Sequence, residues 1–400
     1  MTRIASIVFS YYPSDPRPRR EAEALVEAGM SVDVICLKKD GEPREEQVNG
    51  VRVFRLPARR TRSGKFQYVF EYGSFLLLTF IKLSILHLFR RYHAIHVHNM
   101  PDALVFSAIL PRLSGAKIIL DLHDPMPEVY MTKYYILASH PAIWLLRLIE
   151  KWSTQFADIV LTPNIAFRNL FISRGCPDWK IHIVMNSPQE NIFKADLVGV
   201  PEIDKRDFVI MYHGVIMERN GIDTALDAIS LAQKQISNLI FEVYGEGDYV
   251  KRFLKKVEEL DLKHIVHYHG YQPLEMIARA IQKAELGIIP NKMSPFTNLN
   301  LPTRIFECLS MAKPVVAPRT DGILDYFDED SLYFFKPGDP KSLAERIMEV
   351  YQNRPRCQQI LNRGLKVYQA YRWELQKRHF IEVVRNLVGR NGELQTHDQK

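Results

Sequence analysis

With 400 residues, 46% hydrophobic and 25% charged side chains, the chain is of ordinary globular composition and long enough for two domains. A disordered chain, a fibre and a disulfide-built mini-protein are excluded. Lys and Arg outnumber Asp and Glu by 53 to 46, and the resulting +7 fits an anionic partner: a phosphorylated substrate, an acidic membrane surface or nucleic acid. Cys36, Cys176, Cys308 and Cys357 lie far apart with no CxxC pair, which suggests neither a zinc site nor a disulfide framework and makes a reducing compartment the expectation.

Met1–Ser10 carries one Arg before an apolar run and then the polar Tyr11–Asp15, which reads as a first strand rather than a signal peptide, so a cytoplasmic chain is expected. Short Val- and Ile-rich runs follow, at Ile4–Phe9, Val32–Leu37, Ile95–His98, Lys117–Asp121 and Ile159–Thr162, separated by segments of helical period. After Asn186 the chain loosens, and the rhythm restarts at Phe208–Tyr212. It continues through Leu239–Tyr244, Ile265–His269, Leu286–Ile289, Pro314–Ala317 and Leu332–Phe334. The expectation is α/β: two doubly wound, Rossmann-like domains at 1–190 and 207–370, with 191–206 as linker and a last helix plus polar tail at 371–400. In such sheets ligands bind beyond the carboxyl ends of the strands, so a site in an interdomain cleft is expected.

Tyr68–Phe89 is mostly Phe, Leu, Ile and Tyr and close to bilayer length, yet Glu71, Lys82 and His87 interrupt it and strands continue on both sides. A spanning helix would split one sheet across a membrane. Upstream lie Arg52, Arg55, Arg59, Arg60, Arg62 and Lys65, and a basic stretch beside an apolar helix suits a monotopic contact with an anionic membrane. The alternative is a core helix after a solvated basic loop.

Four loops bring chemistry to strand ends. Asp121-Leu122-His123-Asp124-Pro125-Met126-Pro127-Glu128 gathers three carboxylates and an imidazole on a loop stiffened by proline, suited to positioning a sugar or orienting a proton. Asn300–Glu307 reads as a helix start with Pro302 in its first turn, and Arg304 and Glu307 share one face, able to meet a diphosphate and vicinal hydroxyls. His213–Gly221 follows a strand with Gly214 and Gly221 at its ends, where backbone can approach a phosphate and Arg219 supplies charge. Gly245-Glu246-Gly247 is a weaker turn of the same kind.

Two groups look like metal sites and are discounted. His93, His96 and His98 alternate into a strand, as do His264, His267 and His269, with no ligating carboxylate set in the sequence around either. Asp328-Glu329-Asp330 spells DxD but reads as an acidic turn. No metal is expected.

In order and spacing these elements resemble the retaining GT-B glycosyltransferases of family 4, over essentially the whole chain. The matching text is Tyr12-Pro13 with Asp15-Pro16-Arg17, His96-Val97-His98, Asp121–Asp124 with Pro127-Glu128, Asn186-Ser187-Pro188, Gly214 with Glu218–Gly221, Tyr244–Gly247, and Leu301–Glu307 through Lys313–Val316. The resemblance implies transfer from a UDP- or GDP-linked sugar with retention and without a metal or other cofactor. It implies His123, Arg219 and Arg304 as catalytic residues, and donor contacts at Gly214, Gly221, Gly245, Gly247, Tyr271, Leu301, Pro302, Thr303 and Glu307. Arg17, Asp124 and Glu128 are placed near the acceptor or sugar, and the last helix, around Tyr371–Glu374, is implied to cross back to the first domain.

Three departures stand out. Many relatives carry a pair of glutamates of which Glu307 is the second; the first position here is Leu299. The common Gly-Arg pair is Gly214-Val215, leaving Arg219 as the main cation of that loop, and Arg304 fits a subgroup with a basic residue before the ribose glutamate. The leading expectation is a glycosyltransferase acting on a lipid-linked or polysaccharide acceptor for the cell envelope, peripheral on the inner face of the plasma membrane. The alternative is a GT-B-fold nucleotide-sugar epimerase. No nucleic-acid partner is expected, because neither an aromatic-and-basic signature nor a recognition helix is present.

Overall fold

The computed structural model describes residues 1–58, 65–194 and 207–396. Arg59, Arg60 and Arg62 of the basic stretch, and 195–206 of the expected linker, lie outside the described residues. The chain divides into two compact units, Met1–Met185 with Gln376–Lys400, and Asn186–Leu375.

The first unit holds eight strands: β1 (Arg3–Ile7), β2 (Ser31–Leu37), β3 (Glu45–Val48), β4 (Val51–Leu56), β5 (Ala94–His98), β6 (Lys117–Asp121), β7 (Ile159–Thr162) and β8 (Ile181–Ile183). They form one sheet in the order β3-β4-β2-β1-β5-β6-β7-β8, parallel except for the antiparallel β3–β4 edge. The central strands are buried along almost their whole length, which is why they are mostly Ile, Val, Leu and Ala, with Ser6, Asp33, His96 and His98 among the buried polar exceptions. Its main helices are α1 (Pro16–Glu27), α2 (Lys65–Arg90), α3 (Ile109–Leu113), α4 (Met126–Tyr134), α5 (Pro141–Phe156) and α6 (Ile165–Ser173).

The second unit holds β9 (Phe208–His213), β10 (Leu239–Tyr244), β11 (Val266–Tyr268), β12 (Leu286–Ile288), β13 (Val315–Pro318) and β14 (Tyr333–Phe335), all parallel in the order β11-β10-β9-β12-β13-β14. Its helices are α7 (Ile222–Ala232), α8 (Val250–Glu259), α9 (Leu274–Lys283), α10 (Thr303–Ser310), α11 (Asp321–Leu324), α12 (Pro340–Gln352) and α13 (Arg354–Tyr371). Both sheets are doubly wound.

The last helix, α14 (Trp373–Thr396), gives Phe380, Val383 and Val384 to the core of the first unit, beside Ile4, Ile159, Leu161 and Val184. Gln376 Oε1 accepts a hydrogen bond from the Met185 backbone N–H at 3.0 Å.

Two parts of the basic stretch require correction. Arg52 and Arg55 do not lie in a loop. They sit on β4, Val-Arg-Val-Phe-Arg-Leu, and their charges are spent locally: Arg52 pairs with Glu45, and Arg55 with Glu42 at 3.1 Å and Glu46 at 2.8 Å.

The strands before and after α2, β4 and β5, belong to one sheet, so α2 leaves it and returns to it on the same side of any membrane. Phe70–Arg90 is nevertheless long and apolar enough to span. Unlike a surface helix of a globular protein, it carries large apolar side chains on both sides. Glu71 and Thr79 are buried together with Phe75 and Leu83, whereas Phe70, Leu77, Ile81, Ile85, Leu88 and Phe89 are exposed.

Candidate functional site

Each unit carries a cluster at the carboxyl ends of its central strands. In the first, β1, β5 and β6 end side by side, and α1 brings Arg17 and Glu21 against them. Arg17 donates to Asp121 from Nε at 2.9 Å and from Nη2 at 2.7 Å, and from Nη1 to the Val184 carbonyl at 2.8 Å. His98 Nδ1 lies 3.0 Å from His123 Nε2, and its own Nε2 is 3.1 Å from Ser6 Oγ. Asp121 Oδ2 is 3.3 Å from His123 Nε2, 3.4 Å from His98 Nδ1 and 3.6 Å from His96 Nε2. The loop after β6 is braced by Asn99, which accepts from the His123 backbone N–H at 2.8 Å. Its Nδ2 donates to Asp102 at 2.9 Å and to the Asp124 carbonyl at 2.7 Å.

Burial would raise the Asp121 carboxyl, but Arg17 and then His123 outweigh it and hold Asp121 well below the usual range. Burial raises Glu21 well above its ordinary value against the opposing charge of Arg17, and the Asp121 carboxylate adds to the rise. Burial drives His96 and His98 down, leaving neutral imidazoles at neutral pH. His123 is the least buried ring of the set and the one on the loop.

Three expectations change here. Arg17, expected near the acceptor or sugar, is buried and turned onto Asp121, Glu21 and the Val184 carbonyl, at the root of the loop. Glu128 is buried too, tied to Arg174, which also pairs with Glu150 at 3.0 Å. The histidines also have carboxylates: Glu21, His96, His98 and Asp121 converge with ligand atoms within 4.8 Å of one another. Glu21 is remote from His96 in sequence, so spacing alone could not reveal the pairing. The donor types suit a metal, yet Asp121 already accepts two hydrogen bonds from Arg17, whose positive charge balances it. His267 and His269 likewise share Glu242, at 3.0 Å for His267 Nδ1.

In the second unit β9 ends at His213, and α10 presents its first turn nearby. Pro302 stands at the amino-terminal boundary of α10 without a side-chain cap, which leaves first-turn N–H groups for an anion. Arg304 donates from Nη1 to the His213 carbonyl at 2.8 Å and from Nη2 to Asn291 at 3.3 Å, and lies 4.9 Å from the Tyr212 ring centroid. His213 Nε2 meets Glu307 Oε2 at 2.6 Å. Arg219 lies on the turn before α7, 5.1 Å from the Phe296 ring centroid. Sequence reasoning passed over His213 as a partner of Glu307, although its place at the end of β9 was a usable signal.

The turn glycines serve the backbone first. A Cβ on Gly221 would fall 1.8 Å from the Pro290 carbonyl oxygen, and one on Gly245 1.8 Å from that of Gly214, so the protein's own chain, before any phosphate, demands glycine. Gly214 packs on the Arg304 side chain, and Gly247 on the Ile216 carbonyl. Leu301 and Pro302 are buried, Thr303 is half-buried and Tyr271 is exposed. Asp328, Glu329 and Asp330 are engaged with Ser331, Arg319, and Arg356 with Arg363, respectively.

Residues 15–187 match the "Glycosyl transferase 4-like domain" family and residues 194–367 match "Glycosyl transferases group 1". Among curated proteins, the chain is 23% identical to chitobiosyldiphosphodolichol beta-mannosyltransferase of Candida glabrata, across 93% of this chain and 88% of that one. Sucrose-phosphate synthase of Thermosynechococcus elongatus superposes with a TM-score of 0.80 at 19% identity, covering 97% of this chain and all of the other. HepE of Anabaena, solved with UDP-glucose, superposes with a TM-score of 0.71 at 14% identity over 96% of this chain and all of that one.

Proposed function

The chain belongs to the GT-B glycosyltransferases, which use nucleotide-sugar donors, and from that premise we propose that it transfers the sugar to a lipid-linked acceptor at a membrane surface. The observation that carries the donor half is the grouping of Arg304, Glu307, His213 and the first turn of α10 at the end of β9. Glu307 Oε2 is taken by His213; Oε1, which makes no hydrogen bond among the described residues, is placed to accept from vicinal ribose hydroxyls. Arg219, Arg304 and the α10 amides supply the positive charge that a departing diphosphate needs, so the reaction proceeds without a metal. EDTA should leave the rate unchanged, and a strict Mg²⁺ or Mn²⁺ requirement would overturn that part.

In the first unit His123, oriented by Asp121 and His98, is the group set to hold a hydroxyl of the transferred sugar. The lipid acceptor is supported by the outward apolar side of α2 and by the dolichol-linked substrate in the name of the Candida relative. The outward apolar side of α2 also supports peripheral attachment to a membrane, and the cytoplasmic face is the one we propose.

Retention at the anomeric carbon is the first reading, from the family 4 resemblance. One observation favours inversion: the Candida relative is named for a beta linkage, which from an α-linked donor requires inversion. Incubation with labelled UDP- and GDP-sugars and a membrane lipid extract tests the whole. Label should enter the solvent-extractable lipid, and the anomeric coupling constant of the product decides the stereochemistry. Free epimerised sugar formed without acceptor, or no lipid labelling from either donor, would overturn the proposal.

A further inference from the structure

The apolar side of α2 continues into a cavity of about 400 Å³ in the first unit, and the cavity is lined by helix stripes. Tyr72 and Leu76 come from α2, Met126 and Tyr130 from α4, and Leu145 and Ile149 from α5, each pair at helical spacing. The size is that of a small-molecule site. The lining is almost wholly hydrocarbon. Its one carboxylate, on Asp102, is engaged by the Asn99 amide at 2.9 Å, so a sugar or nucleotide would find few converging partners there.

The position matters as much as the lining. Asn99 joins the cavity to the loop that carries His123: the same side chain holds Asp102 in the cavity wall, the Asp124 carbonyl and the His123 backbone N–H. The Asp102 N–H also points at the Met126 sulfur, 3.4 Å away, so wall and loop form one packed unit. On the outer side, exposed Phe70, Leu77 and Trp144 extend the apolar surface beyond the cavity, continuous with the partly exposed Leu145 of its wall.

We infer that this cavity between α2, α4 and α5 binds the hydrocarbon chain next to the phosphate of the acceptor lipid, placing its polar head at His123. The occupant is an aliphatic or isoprenoid chain, because the wall offers dispersion contacts and desolvation in place of hydrogen bonds and opens onto the apolar side of α2. The inference rests on the lipid-acceptor reading above.

Geranylgeranyl monophosphate carrying a diazirine on the second isoprene unit from the phosphate tests it on the full chain. Photolabel should appear in peptides containing Tyr72–Leu76, Met126–Tyr130 and Ala142–Ile149. Unlabelled geranylgeranyl phosphate should displace it, and inorganic phosphate should not, which separates chain recognition from head-group recognition. Shortening the competitor should weaken it by about fourfold for each buried methylene lost.

Gly73→Phe adds a ring to the cavity lining from a helix position where a Cβ meets no atom within 4 Å, so the backbone accepts a side chain there, and an unchanged melting temperature and circular dichroism check the fold. It should cut labelling at sub-saturating probe at least tenfold, as should Ala142→Phe on the opposite wall, while Leu88→Ser outside the cavity keeps it. Equal labelling in both filled variants, competition by inorganic phosphate, or label confined to Leu77, Ile81 and Ile85 would overturn the inference. Thermal shift by UDP- and GDP-sugars, run alongside, reads the second unit. Loss of donor binding with intact labelling defeats the transferase proposal alone, and intact donor binding without cavity labelling defeats the cavity alone.

Discussion

Replacing Arg17 with leucine decides whether this buried arginine supports the fold or meets a substrate. Its guanidinium gives Asp121 hydrogen bonds at 2.9 and 2.7 Å, gives the Val184 carbonyl another at 2.8 Å, and lies 3.3 Å from Glu21. Leucine restores part of the volume but strands Asp121 as an uncompensated charge in the interior. Removing one partner of such a pair costs about 3–5 kcal/mol. In a domain of about 200 residues each kcal/mol lowers Tm by about 2–4 °C, so the first unit should melt about 6–20 °C earlier. The pH dependence carries a second signature. The Asp121 carboxyl is depressed in the folded wild type, so its contribution is present above about pH 4 and is lost as pH falls through the lower folded value. Without Arg17 only His123 and His96 still favour the carboxylate against burial, so the carboxyl rises from its wild-type value and the deficit of Arg17→Leu relative to wild type should shrink as pH falls towards 4. Calorimetry of the full chain from pH 4 to 8 reads both, with UDP added to mark the transition of the second unit. A melt within 2 °C of wild type combined with a raised acceptor KM would refute the argument and return Arg17 to the substrate.

The other predictions concern separate parts of the molecule. Burial lifts the Asp102 carboxyl to about 6 despite its bond from Asn99. Its contribution to stability is therefore present below about pH 4 and lost as pH rises through 6. Asp102→Asn should remove that slope and stabilise the first unit at pH 7 by up to about 3 kcal/mol; denaturant titrations at pH 4 and 7 that give the wild-type slope would contradict this. Arg219→Ala should lower kcat about 10²- to 10³-fold if it acts as a preorganised anion donor, whereas Glu307→Gln should act mainly through donor KM. Arg219→Ala activity within twofold of wild type would remove that turn from the mechanism. Replacing Leu77, Ile81 and Ile85 together with Ser should release the protein from phosphatidylglycerol vesicles without changing donor binding; unchanged co-sedimentation would leave the exposed side of α2 unexplained.

The sequence made legible what repeats locally and hid what converges from a distance. Parallel strands buried on both faces are predominantly apolar, so Ile4–Phe9, or Lys117–Asp121 with its Ile-Ile-Leu centre, can be recognised without a structure. The edge strand β3, Glu-Glu-Gln-Val, has no such signature, because its side chains meet solvent and the arginines of β4. With β3 unrecognised, Arg52 and Arg55 looked like free charge beside an apolar helix. The site followed the same rule. Arg304 and Glu307 share a face of α10 and were found by spacing, but the partner of Glu307 is His213, brought in by the end of β9. The histidines of β5 seemed to lack carboxylates because Glu21 approaches from α1 and Asp121 from the neighbouring strand. That network also shows why a loop motif does not by itself fix the roles of its residues. Asp121, His123, Asp124 and Glu128 lie within one short segment, yet Asp121 is locked to Arg17 and Glu128 to Arg174, while His123 remains partly open. Charges matched in the interior hold a loop in place, and chemistry is left to the member that still reaches solvent.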